Sequence, residues 1–157
     1  MKKEETLDHH IKSAWHAISR MYNQQASKYG GTMSVGYVLL NISNEEGAQA
    51  TKIAPQMGLE ARSLTRILKS MEEKGLVYRM PDPNDKRGVL VFLTNKGMEM
   101  KNHARETVLR FNEVMREKIS AEKLEIFFEV LQSVNEEIEK NNIYGSVNSP
   151  LVYHTND

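Results

Sequence analysis

The chain contains no cysteine, which removes disulfides, thiolate metal sites, thiol redox sensing and cysteine nucleophiles together. It lacks any run near the roughly 18 apolar residues of a membrane span. Its first residues, MKKEETLDHH, have no apolar secretory core, so a cytoplasmic protein is expected. There is no Gly-rich phosphate loop, no pairing of nucleophile with base, and no metal-ligand spacing. The histidines, His9, His10, His16, His103 and His154, are scattered. Neither an enzyme nor a bound cofactor or metal is expected. Net charge is also absent: 21 Lys and Arg balance 21 Asp and Glu, which argues against an indiscriminate polyanion binder.

What remains is an ordinary globular composition, 39% hydrophobic and 27% charged over 157 residues, long enough for one domain with a proper core. The charge balance hides a pattern. Residues 1–51 carry five cations and five anions, residues 52–101 ten and six, and residues 102–157 six and ten. A basic middle segment between neutral and acidic ones can hold a phosphate backbone locally while the molecule stays neutral.

Apolar residues recur at Leu7, Ile11, Ala14, Trp15, Ile18, Met21 and Tyr22, a helical spacing that predicts an amphipathic helix ending at Gly30 and Gly31. Ser34 is expected to cap a second helix, VGYVLLNI. ATKIAPQM suggests a short third helix ended by Gly58, with Pro55 forcing it to start late or bend. The next segment, LEARSLTRILKSMEEKG, places Leu64, Ile67, Leu68 and Met71 on one face of a fourth helix and Arg62, Ser63, Thr65, Arg66 and Lys69 elsewhere on it. LVYRM and VLVFL then read as two strands of an antiparallel hairpin joined by a long loop, PDPNDKRG. Thr94 and Ser120 are positioned to cap two long helices with strong apolar stripes. The polar tail, residues 141–157, reads as frayed.

A short helix, a Gly-centred turn and an amphipathic helix make a helix-turn-helix, whose second helix must offer small polar and cationic side chains to a major groove. Arg62, Ser63, Thr65, Arg66 and Lys69 meet that requirement. A hairpin that follows is the wing of a winged helix, and Lys86 and Arg87 at its tip suit the narrow, electronegative minor groove. A winged helix used only for protein contacts would instead present an acidic or apolar face.

The stretch EKGLVYRMPDPNDKRGVLVFLTNKG, Glu73 to Gly97, resembles the signature of the MarR family of bacterial transcriptional regulators. Asp85 and Arg87 fall on its Asp-x-Arg wing tip, Leu93, Thr94 and Gly97 on its closing part, and Thr65 and Arg66 on the Thr-Arg of its recognition helix. The resemblance implies a mainly α fold: a winged helix-turn-helix region (33–96) with a two-stranded β-hairpin wing, flanked by dimerisation helices (5–29 and 97–140). It implies a homodimer on palindromic double-stranded DNA, a repressor in the expected case. The apolar stripes of the first and last helices exceed what one winged-helix core absorbs, and a second copy is the simplest cover for them. Asp85 is expected to brace the wing by pairing with Arg87 or Arg79. The resemblance also implies a small aromatic or phenolic effector, with Trp15, Tyr22, Met33, Tyr37 and His103 as candidate lining. From the residues alone, a row of Met and aromatics at helical spacing is more often plain core.

Overall fold

The computed structural model describes residues 1–140 and residue 143; the tail expected to fray lies outside the described residues. The elements run α1 (Leu7–Ser27), α2 (Met33–Leu40), β1 (Ala48–Gln49), α3 (Ala50–Gln56), α4 (Ala61–Glu73), β2 (Val77–Asp82), β3 (Asp85–Leu93), α5 (Asn95–Lys118) and α6 (Ala121–Glu139), after a 3-10 turn at Lys3–Glu5. The chain forms two compact units, one of residues 17–109 and one of residues 1–16 with 110 onward.

The unit of residues 17–109 holds the core. Val38, Leu39 and Ile42 from α2 and its end, Ile53 from α3, Leu64, Leu68 and Met71 from α4, and Leu76, Val77, Val91 and Leu93 from the sheet make one cluster. Helix α4 is strongly amphipathic and turns Leu64, Leu68 and Met71 into that cluster, whereas the short α2, MSVGYVLL, is apolar nearly all round and buries Val35, Val38 and Leu39. Side chains such as Leu39, Ile42 and Met71, wholly withdrawn from solvent, stabilise by about 1.5 to 3 kcal/mol each.

Local choices follow from the caps. Helix α2 begins at Met33, ahead of Ser34, because two donors of its first turn already have acceptors. The Met33 N–H donates to Asn23 Oδ1 at 3.0 Å, and the Val35 N–H donates to Thr32 Oγ1 at 3.2 Å. Thr32, not Ser34, is the N-cap. Helix α3 does not start late: it runs from Ala50 with Pro55 as its penultimate residue. The missing proline N–H removes only a bond to the exposed Thr51, which water can replace. Gly58, at φ 62°, ends the helix, and the Leu59 N–H reaches back to the Ala54 carbonyl.

The sheet has three strands in the order β1-β3-β2, so the two-stranded wing of the sequence reading gains a short third strand. Ala48 and Gln49 pair with Val91 and Leu90. Gly47 permits this approach, since a β-carbon there would stand 2.7 Å from the Val91 carbonyl oxygen and 2.9 Å from the Phe92 ring. The expected long loop is also absent. β2 runs on to Asp82 and β3 starts at Asp85, leaving Pro83 and Asn84 as the turn.

Thr94 joins the start of α5 to the end of α4. Its hydroxyl donates to the Gly75 carbonyl at 2.6 Å, accepts the Gly97 N–H at 3.0 Å, and its backbone N–H donates to Leu76 O. Further along α5, Lys101 Nζ donates to the Ile42 carbonyl at 2.6 Å and to Asn44 Oδ1 at 3.0 Å. Burial, and then Arg105, hold the Lys101 pKa below the usual lysine range.

The other unit contains no buried residue among those described. Ser120 caps α6, as its sequence position suggests. On this unit Leu7, Ile11 and Trp15 of α1 and Ile126, Phe127, Phe128, Val130 and Ile138 of α6 are exposed.

Candidate nucleic-acid interface

Helix α4 buries Leu64, Leu68 and Met71, which turns the remaining arc to solvent. Arg62, Ser63, Thr65, Arg66 and Lys69 are all exposed there. Arg62, Arg66 and Lys69 are spaced four and three apart, so they share one stripe of the helix. The Thr65 hydroxyl donates to the Ala61 carbonyl at 2.9 Å, which leaves its oxygen as an acceptor and its methyl as an apolar contact.

Strand register places the wing cations. Pro81 pairs with Val89 and the adjacent Asp82 pairs with Asp85, so Lys86, Arg87 and Gly88 bulge out of the ladder between consecutive pairs. Lys86 and Arg87 are exposed. Among the described residues, none of Arg62, Arg66, Lys69, Lys86 and Arg87 pairs with a carboxylate. These five cations on one unit leave a basic surface whose charge is not neutralised from within.

The bracing of the wing differs from the expected pairings. Asp85 Oδ1 accepts the backbone N–H of Arg87 at 3.0 Å, fixing the turn rather than the guanidinium. Arg79 pairs with Glu72 at 2.6 Å, which ties β2 to the end of α4. The Asp85 carboxylate, accepting from a backbone N–H, holds the bulge and leaves the guanidinium of Arg87 exposed.

A second feature of the same unit is a cleft among α1, α2 and α5. It has a cavity of about 50 Å³ within about 490 Å³ of empty space counted out to its open mouth. Tyr22, Met33, Tyr37 and His103 line it, while Trp15 is not among the lining residues. Tyr22 and Tyr37 meet edge to face at 6.2 Å. Burial pushes both phenol pKa values up, with Tyr37 adding to the effect on Tyr22. Sequence reading missed Tyr29, which lies beyond the end of α1 and outside its apolar period, yet stacks on His103 with ring centres 4.0 Å apart.

The profile of the MarR family matches residues 32–89, from the cap of α2 to the wing. A helix-turn-helix regulator of Bacillus subtilis, YxaD, is 31% identical over 117 residues, covering 73% of this chain and 82% of YxaD. The chain belongs to the MarR family of transcriptional regulators. The regulator TtmR of Methylorubrum extorquens, 35% identical over 91 residues, matches 58% of this chain, which spans about half of TtmR, 47%. Among solved structures, the MepR–DNA complex of S. aureus superposes with a TM-score of 0.78 at 18% identity, over 85% of this chain and 98% of MepR. At that identity the likeness establishes the MarR fold alone. Among the described residues no helix is long and apolar enough to cross a membrane.

Proposed function

We propose that this MarR regulator is a homodimer that binds a palindromic DNA site, one winged helix on each half. The carrying observation is the set of five exposed cations without a carboxylate partner among the described residues, on α4 and the wing bulge. Arg66 and Arg62 are read as contacts to base edges in the major groove, with Ser63, Thr65 and Lys69 on the groove walls and phosphates. Lys86 and Arg87 enter the minor groove beside it, where a narrow A·T-rich segment concentrates negative potential. Chemistry on the DNA is not part of this role: the protein occupies its site and blocks transcription there, in the cytoplasm.

The exposed apolar residues of α1 and α6 are the surface that a second copy covers. Phe127, Phe128 and Ile126 are each just over half exposed, at 52%, 51% and 53%, a contiguous run that a monomer rarely leaves in water. A two-fold partner offers each chain the same patch. The cleft is read as the seat of a small aromatic or phenolic effector that changes the spacing of the two recognition helices. Its apolar walls and neutral phenols favour such a ring.

The test is to incubate the purified protein with fragmented genomic DNA and sequence what it retains. A shared inverted repeat with half-sites about one helical turn, roughly 10 base pairs, apart is expected. Retained fragments with no common sequence would overturn the proposal.

A further inference from the structure

Asp82 is the one charged side chain withdrawn from solvent among the described residues, 5% exposed, and no Lys or Arg pairs with it. Its donors are both amides. Gln49 Nε2 donates to Asp82 Oδ2 at 3.0 Å, and the Asn84 backbone N–H donates to Oδ1 at 2.8 Å. A carboxylate taken out of water without a cation is costly, and each lone pair left unfilled adds to that cost. Its position is therefore informative. Gln49 is the last residue of β1 and the N-cap residue of α3, where the helix-turn-helix begins. Asn84 is in the turn at the end of the wing. One side chain thus spans from the first helix of the helix-turn-helix to the wing tip.

The bulge closes over the same group. A β-carbon on Gly88 would stand 3.0 Å from Asp82 Cβ and 3.2 Å from Asp85 Cβ, so the backbone at Gly88 packs closely against Asp82. Beyond the Asp82–Asp85 pair only the turn remains, and a two-stranded tip of this length does not hold its direction unaided.

We propose that Asp82 and Gln49 form a strut that sets the direction of the wing relative to the helix-turn-helix, making Asp82 a positioning residue for DNA contacts by Lys86 and Arg87. The strut rests, in its consequence for binding, on the DNA-binding reading above; its effect on the wing does not. A carboxylate serves because two acceptor atoms on one carbon face two donors from different directions. An asparagine can do nearly the same if Gln49 turns its amide over: Oδ1 still accepts from Asn84, and Nδ2 donates to Gln49 Oε1.

The experiment uses the full-length protein and three variants: Asp82→Ala, Asp82→Asn and Gln49→Leu. Hydrogen exchange of the wing amides, at Asn84 and Arg87 above all, is measured without DNA. Affinity is then measured for the selected operator and for the same operator with G·C-rich flanks. Asp82→Ala and Gln49→Leu are expected to quicken wing exchange about tenfold while Leu39 and Ile42 keep the protection of the parent. They should also weaken the A·T-flanked operator about tenfold and shrink its advantage over the G·C-flanked one. Asp82→Asn should stay near the parent in both measurements. Wing exchange unchanged in Asp82→Ala and Gln49→Leu overturns the strut, as does an Asp82→Asn variant indistinguishable from Asp82→Ala. Quickened exchange with unchanged operator affinity supports the strut and overturns the wing's part in DNA binding.

Discussion

Replacing Gly97 by alanine inverts the usual helix rule. An alanine in a helix normally stabilises by about 0.8 to 1 kcal/mol relative to glycine. Gly97 is the third residue of α5 and is buried. A methyl group there would overlap the Leu76 carbonyl oxygen and stand 3.0 Å from its carbon. Leu76 cannot yield freely, because its own side chain is 2% exposed in the core and its carbonyl accepts both the N–H and the hydroxyl of Thr94. Overpacking of this kind costs roughly 1 to 3 kcal/mol, and each hydrogen bond broken to relieve it costs about 0.5 to 1.5 kcal/mol more. Set against the propensity gain, a net loss of about 2 to 3 kcal/mol is expected. For a chain of this size that lowers Tm by roughly 5 to 10 °C. Thermal unfolding followed by circular dichroism at one fixed protein concentration measures it, since melting of a dimer depends on concentration. Gly36→Ala is the control. Its β-carbon would meet only Ala104 Cβ, at 3.5 Å, so it should melt at or slightly above the parent. A Gly97→Ala protein that melts at or above the parent temperature would refute the argument that the start of α5 is locked against the end of α4.

Arg66→Ala should cost roughly 1 to 3 kcal/mol on the selected operator and much less on random DNA; equal losses in a filter-binding comparison would mean a phosphate contact only. Arg87→Ala should make log K less steep against log salt by up to about 1.8, since a dimer loses two cations. Asp85→Ala should weaken binding although it removes a negative charge, because the backbone N–H of Arg87 loses its acceptor; tighter binding would contradict the role given to that turn. Sedimentation at micromolar concentration should show a dimer, and a stable monomer would contradict the reading of the exposed apolar run on α6.

Much of this was legible in the sequence because the signals were local and periodic. The stripe Leu64, Leu68, Met71 fixes which side of α4 is buried, so the exposure of Arg62, Arg66 and Lys69 follows from spacing alone. Thr94 and Ser120 cap their helices because a hydroxyl ahead of an apolar period has few other uses. The parts that were not legible depend on long-range pairing. Strand β1 is two residues long and carries no alternation; it exists because Gly47 lets it approach β3. Charge alone points Asp85 to Arg87 or Arg79 as a partner, but Arg79 pairs with Glu72 and Asp85 turns onto a backbone N–H. The turn also shrank to Pro83 and Asn84, because the strands continue into residues whose composition reads as loop. Asp82 lies in PDPNDKRG, whose composition reads as a loop, and only its contact with Gln49, 33 positions earlier in the chain, gives it a different role. Trp15 fits the helical period that carries Tyr22, yet it is not part of the cleft lining.

The most direct test is hydroxyl-radical footprinting of the full-length protein on the operator it selects, run beside Arg87→Ala. Two protected segments related by a two-fold axis are expected, about one helical turn apart, each flanked by a minor-groove protection that disappears in Arg87→Ala. A single unpaired protected segment, or flanking protections that persist without Arg87, would contradict a dimer that reads each half-site with α4 and the wing together.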